Sequence, residues 1–288
     1  VDHFVLGEGE CSIPAFRKDL ERGELKPLYN PEERPEMASV PVPRFDLCEL
    51  EAYDTFPLQF SRGCPFDCEF CDIVSLFGHR MRTKSPAQFV REMEAAYQTG
   101  FRGSLFIVDD NFIGNRRRTK ELLRAIVPWQ EERGYPFNLS TEASVDLAED
   151  EELLELMAAS GFTMVFLGLE TPVADSLEAI GKRQNMRRSM VASVHRIQRA
   201  GIEVTGGFIM GFDSDPSDVA ERQMEFIEEL SIPTAMVGLL MALPNTRLWT
   251  RLQKEGRILF RSQGNNTHDV EFNFEPRLPK EELAEGYR

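Results

Sequence analysis

TFPLQFSRGCPFDCEFCDI, residues 55–73, leaves an apolar strand and enters a loop that sets Cys64, Cys68 and Cys71 within eight positions. Thiolates prefer zinc or iron, and a structural zinc takes four closed ligands in a tetrahedron. The nearest fourth donor is His79, eight residues beyond Cys71, so a Cys3His zinc site is one reading. The other is a 4Fe-4S cluster held by three cysteines, which leaves one iron open to an external ligand. Where the loop lies in the fold bears on the choice.

Strand and helix periods alternate downstream of it. SPAQFVREMEAAYQTG (85–100) begins with Ser85 as N-cap, Pro86 in the first turn and Gln88 completing a capping box. Phe89, Met93, Ala96 and Tyr97 then share one face, and Gly100 ends the helix. A second strand (103–112) precedes RRTKELLRAIVPWQEERG, and a third (135–144) precedes DEELLELMAASG, with Leu153, Leu154, Met157 and Ala158 inward. A fourth (163–171) precedes RRSMVASVHRIQRAG, a fifth (202–213) precedes DPSDVAERQMEFIEEL, and a sixth spans 235–246. Six apolar strands joined by right-handed helical crossovers predict an α/β fold, a parallel sheet curled into a partial (β/α)6 barrel.

Such a barrel works at the C-terminal ends of its strands. Polar residues gather there: the cysteine loop, Asp109, Asp110, Asn111, Thr141, Glu142, Glu170, Asp213, Asn245 and Thr246. That position favours the cluster over zinc. Phe70, just before the last cysteine, is placed to cover a cluster and the base of a bound nucleotide.

C-x3-C-x-aromatic-C after the first of six βα units resembles the radical S-adenosylmethionine superfamily, over about residues 53–250. The resemblance implies that Cys64, Cys68 and Cys71 hold the cluster. It implies too that S-adenosylmethionine would chelate the open iron and be cleaved to a 5′-deoxyadenosyl radical. It also implies that Asp110 and Asn111, in VDDNF, bind the methionine amino group, and that Glu142 (STEAS) and Glu170 (LGLET) bind ribose or the amino acid part. In GGFIMGFD, Gly207 and Gly211 would permit close backbone approach while Ile209 or Met210 packs on adenine, and ALPNT resembles the turn after the sixth strand. Plainer roles stand beside these: Asn111 as a helix N-cap, the glutamates as salt-bridged rim groups, the glycines as a packing bulge, and an ordinary turn at ALPNT.

QFSRGCPFDCEFCDI, VDDNFIGN, TEASVDLAEDEELLELM, FLGLETP with KRQN, and GGFIMGFD together resemble the cobalamin-dependent branch that includes the hopanoid C-2 methylase. That narrower resemblance implies cobalamin in the parent protein, methyl transfer to an unactivated carbon, and a small-molecule or lipid-like substrate. Radical cyclisation or rearrangement is the alternative within the superfamily. A non-catalytic zinc or redox module on the cysteines and His79 is the alternative outside it. The chain opens VDHFVLGEGE without an initiator Met and stops at KEELAEGYR inside a helical pattern, so an internal piece of a longer protein is expected. Residues 1–24 are expected to be the tail of a cobalamin-binding domain, 25–52 a proline-rich linker outside the core, 53–250 the barrel, and 251–288 the start of a truncated domain.

Composition narrows the classes further. The 288 residues carry 33 Lys plus Arg against 48 Asp plus Glu, a net charge of −15, which disfavours nucleic acid and anionic membranes as partners. No apolar run approaches a bilayer span and no signal peptide is visible, so a cytoplasmic protein is expected. Five cysteines, three of them clustered, fit a reducing compartment; Cys11 and Cys48 read as small hydrophobes. His3, His195 and His268 read as surface or core groups, and Arg116, Arg117 and Arg118 as a solvated first turn. The basic stretch GHRMRTKS (78–85) is a candidate docking site for a flavodoxin or ferredoxin electron donor. Lys182, Gln184 and Asn185 either face substrate or join two helices.

Overall fold

The computed structural model describes residues 2–31, 33–262 and 270–288, so His268 lies outside the described residues. One parallel sheet holds β1 (Thr55–Leu58), β2 (Ser104–Ile107), β3 (Asn138–Ala143), β4 (Phe162–Glu170), β5 (Glu203–Met210) and β6 (Thr234–Leu239), side by side in chain order. Helices α1 (Pro86–Gln98), α2 (Arg116–Glu132), α3 (Glu151–Ala159), α4 (Met190–Arg199) and α5 (Val219–Leu230) make the crossovers, and α6 (Arg247–Lys254) and α7 (Lys280–Tyr287) follow β6. This is the expected α/β architecture, a six-stranded partial barrel. Side-chain caps start α1, α2, α3, α4 and α6, from Ser85, Asn115, Asp150, Ser189 and Thr246. Each contributes about 1 kcal/mol by satisfying an otherwise orphaned helix N–H.

Strand alternation sorts the sheet into two faces. Leu105, Ile107, Leu139, Val165, Leu167, Val204 and Phe208 are buried in the main core beneath the helices. The intervening residues therefore line the concave face. Register places Phe106 opposite Ser140, Glu142 opposite Phe166, Phe166 opposite Thr205, and Gly168 opposite Gly207. The inner wall mixes aromatic, small and acidic groups. Most of these residues are partly exposed, so this face is not a filled core.

Several boundaries differ from expectation. β1 ends at Leu58 because Ser61–Arg62 turns away to pair antiparallel with Arg82–Thr83. The strand expected to reach 246 ends at Leu239, and Thr246 instead caps α6 by accepting from Trp249 N–H. Ala158 is exposed, since the buried stripe of α3 is Leu153, Leu154 and Met157. Gln88 forms half of the expected capping box: its N–H bonds the Ser85 hydroxyl, while its side-chain amide donates to the carbonyls of Met37 and Val40.

That last contact reflects a larger departure. The proline-rich stretch is packed into the barrel, with Met37 and Phe45 buried and the Phe45 ring stacked on Phe56 at 4.8 Å. Prolines denied it regular hydrogen bonding, but not burial of the large side chains between them. Stacking of this kind adds roughly 0.5–1.5 kcal/mol beyond the area buried. Upstream, Phe4–Val5, a helix over Gly9–Arg22 and Leu28–Tyr29 form a parallel βαβ unit, so Leu28 and Tyr29 pair as strand where a linker was expected. Downstream, Leu248, Leu252, Phe272, Phe274 and Leu283 pack with Phe212 and Leu240 in a second core beside β5 and β6.

Candidate functional site

The cysteine loop is pinched at its neck. Ser61 and Arg62 pair with Thr83 and Arg82, Lys84 N–H bonds the Phe60 carbonyl, and Cys64 N–H bonds the Gly78 carbonyl at 3.2 Å. Gly63 has φ +104°, and a Cβ there would lie 2.8 Å from the Arg80 carbonyl oxygen and 2.9 Å from that of Gly78. Only glycine closes this neck. Below it, the Asp109 carboxylate accepts from Phe60 N–H at 2.7 Å and from the Ser61 hydroxyl at 2.5 Å. Asp109 thus anchors the loop to the end of β2.

Within the loop all three cysteines are half-buried. Burial pushes each thiol up, that of Cys71 to about 12, with Cys64 and Cys68 adding to the rise at Cys71. One amide reaches a sulfur, that of Gln184, which donates to Cys68 Sγ at 3.9 Å, and Asn111 works against the rise at Cys64. Among the described residues, no three His, Cys, Asp or Glu side chains meet closely enough to share one ion, and His79 is exposed. Ligands of a cubane each take a separate iron, so they need not converge on one point as zinc ligands must.

The mouth of the barrel holds the predicted acids in two different states. Burial raises the Asp110 carboxyl, as does the charge of Asp72, and burial with the charge of Asp110 raises Glu142. The Asp110 charge thus reaches Glu142 at the barrel mouth. Glu170, by contrast, is buried at φ +64° and ion-paired to the equally buried Lys182. That is the salt-bridged alternative. Burial works to lower the Lys182 pKa, but Glu170 and then Cys68 hold it up. Its Nζ also lies 5.9 Å from the centre of the Phe70 ring.

Other expectations resolve similarly. The N-cap of α2 is Asn115, which leaves Asn111 buried and bonded to Ser144, so its N-cap alternative falls. Gly207 faces Phe166, with a Cβ there only 2.7 Å from that ring. Gly211 has φ +104° and gives way to Phe272. Ile209 follows Gly207 on the concave face, whereas Met210 is buried on the other side, toward Gly286 of α7. Of the two, only Ile209 lies on the concave face. Arg116 is not a solvated turn residue, since it pairs with Asp146 at 2.7 Å; Arg117 and Arg118 do stay at the surface with Glu121. In the basic stretch, Arg82 and Lys84 are buried against Glu8 and Glu92, so they present no docking charge to an electron donor.

Two features were not foreseen. Gln184 and Lys182, left undecided between substrate contact and helix joining, both face the cysteines. Glu69, inside the loop, bonds Arg251 of α6 at 2.7 Å, and Arg251 and Arg257 both bond Asp213. A cavity of about 280 Å³ lies between Phe70, Phe212, Leu240 and this network. The pairing of Glu69 with a residue 182 positions away carries no local sequence signal.

The Asp109 carboxyl provides a pH test. Burial pushes it up to about 7 against an ordinary 3.8, the hydrogen bonds from Ser61 and Phe60 opposing and the charge of Asp110 assisting. The folded state therefore holds this proton where the unfolded chain has lost it. Its contribution to stability is full below about pH 4 and is lost as pH rises through about 7, at up to about 1.4 kcal/mol per pH unit. Urea unfolding of the apoprotein between pH 4 and 7 is expected to show this falling component, and Asp109→Asn to remove it. Equal slopes in the two proteins would mean that Asp109 is ionised throughout.

A parallel βα barrel with a three-cysteine loop on its first strand and acids at the following strand ends defines a class. The model of the Radical SAM superfamily matches residues 58–227, and the chain belongs to that superfamily. A domain of unknown function, DUF4070, matches residues 246–288. More particularly, the chain is 49% identical over 286 residues to an uncharacterized methyltransferase of Synechocystis sp., covering 99% of this chain and 53% of that protein. It is 40% identical over 275 residues to the hopanoid C-2 methylase of Rhodopseudomonas palustris, covering 94% and 52%. The chain thus spans about half the length of these curated relatives. The solved cobalamin-dependent S-adenosylmethionine radical enzyme OxsB shares the fold, with a TM-score of 0.70 at 19% identity over 90% of this chain and 46% of that one. Among the described residues, no helix is long and apolar enough to cross a membrane.

Proposed function

We propose that this chain is the radical-generating core of a cobalamin-dependent methyltransferase acting on an unactivated carbon of a small or lipid-like substrate in the cytoplasm. The observation that carries the reading is the neck-closed loop presenting three cysteines at the barrel mouth beside the acids Asp110 and Glu142. The donor set fits a 4Fe-4S cluster: three sulfurs, an amide donor on one of them, and one ligand position left for an external group. When bound, the cluster and S-adenosylmethionine supply the one-electron cleavage that yields a radical able to take hydrogen from an inert carbon.

The chain's own residues bind and orient. Cys64, Cys68 and Cys71 would hold the irons, with Gln184 fixing sulfur orientation at Cys68. Asp110 and Glu142 attract the amino and sulfonium charges, with Ile209 and Phe70 providing apolar contact for adenine. Glu170, Gly207 and Gly211 shape the chamber wall; Met210 packs behind it. Half-buried Phe106 and Phe166 keep water from the reacting carbon. Positioning in a dry chamber, with no general base, is the catalytic contribution. Cobalamin and methyl transfer are supported by the named relatives and by the βαβ unit at residues 4–29, a Rossmann-type building block. A net charge of −15 supports a partner other than nucleic acid.

The test is anaerobic reconstitution with iron, sulfide and zinc analysis, and EPR of the reduced protein before and after S-adenosylmethionine. Iron and sulfide in equal amounts, with a spectrum that changes on addition, is the expected result. Zinc without an EPR response would sink the reading. Methylated product with S-adenosylhomocysteine then separates methyl transfer from a cyclisation, which would give 5′-deoxyadenosine alone.

A further inference from the structure

Arg62 and Arg82 stand directly opposite each other across the antiparallel pair that closes the cysteine loop. Like charges at opposed positions of a strand pair repel, so this neck should tend to splay. Two carboxylates from the N-terminal helix region prevent it. Glu8 accepts from both guanidinium groups, at 2.5 Å from Arg62 and 2.5 and 3.0 Å from Arg82. Glu10 takes a bidentate pair from Arg62 at 2.9 Å. The four side chains are only 6–14% exposed, so the pairs are poorly screened and two cations balance two anions. Burial raises the Glu8 carboxyl, but Arg82 and Arg62 outweigh it and hold it below the usual range.

We infer that Glu8 and Glu10 form a clamp with Arg62 and Arg82 that holds the cysteine loop closed, so that retention of the cluster depends on a segment outside the barrel. The inference rests on the proposed function. It makes Glu8, 54 positions upstream of Arg62, a positioning residue for a site it does not touch. It also joins the N-terminal βαβ unit mechanically to the loop that carries the irons. Any shift of that unit is transmitted to the neck through the shared Glu8 carboxylate.

The experiment uses the reconstituted chain and follows iron loss to a chelator, with EPR of the reduced form and far-UV circular dichroism as the folding control. Glu8→Gln with Glu10→Gln keeps shape and removes both charges. It is expected to lose iron about 10-fold faster, in the range typical of lost outer-shell support, with an altered EPR spectrum and unchanged circular dichroism. Adding Arg82→Gln removes the like-charge opposition and is expected to recover part of the retention, which a purely structural loss would not allow. Lys120→Ala, at an ion pair with Asp150 and Glu152 remote from the neck, serves as control. Should the double variant fail to fold, Glu10→Gln alone is read the same way. A wild type that takes up no iron overturns the proposed function and the inference with it. An iron-loaded wild type whose variants hold iron no less firmly than the control overturns the inference alone.

Discussion

Cys68→Ala, purified anaerobically and reconstituted, is expected to fold and to lose its iron and sulfide to background. Cys68 has the Gln184 amide at its sulfur, and Cys64 and Cys71 lie within electrostatic range of it. Two thiolates cannot hold three corners of a cubane. Cys48→Ala is the matched control, because Cys48 packs against the main core away from the loop. His79→Ala is likewise expected to leave iron unchanged, its side chain being exposed. Full iron content in Cys68→Ala would mean that another donor serves and that the three-cysteine assignment is wrong.

Lys182→Met is expected to be the most destabilising single change at the site. It leaves the Glu170 carboxylate buried at a left-handed backbone position without its cation. Removing one partner of a buried pair costs about 3–5 kcal/mol, or roughly 5–8 °C of melting temperature for a chain of this size. Lys182→Met with Glu170→Gln removes both charges and is expected to regain much of the loss. Thermal unfolding of the apoproteins measures all three. A single variant that melts with wild type would show that water or another group already neutralises Glu170.

These two expectations draw differently on sequence and structure. The cysteines announce themselves by spacing, and their place after an apolar strand was enough to put them at a barrel mouth. The placing of Asp110 and Glu142 at strand ends was legible because strand periods and the rule that such barrels act at strand C-termini operate within a few residues, whereas the choice between Ile209 and Met210 was left to the structure. Lys182 was visible only as a polar residue in KRQN. Its partner is 12 positions back and its cysteine neighbours over 100 positions away, so only the closed sheet could reveal the pair. The proline-rich stretch failed for a related reason. Proline governs backbone hydrogen bonding, whereas burial of Met37 and Phe45 depends on the surface they meet.

Local chemistry in the sequence was sufficient for the class: six alternating βα units, the three-thiolate loop, and acids at strand ends. Those features depend on periodicity and spacing, which act over one turn or one strand. Tertiary structure alone decided which charges neutralise one another. Glu8 and Glu10 could have been solvated, Arg82 and Lys84 could have met a partner protein, and Asp213 could have faced substrate. Folding instead gives each an opposite charge, because a charge removed from water must find its opposite wherever the chain brings one within reach.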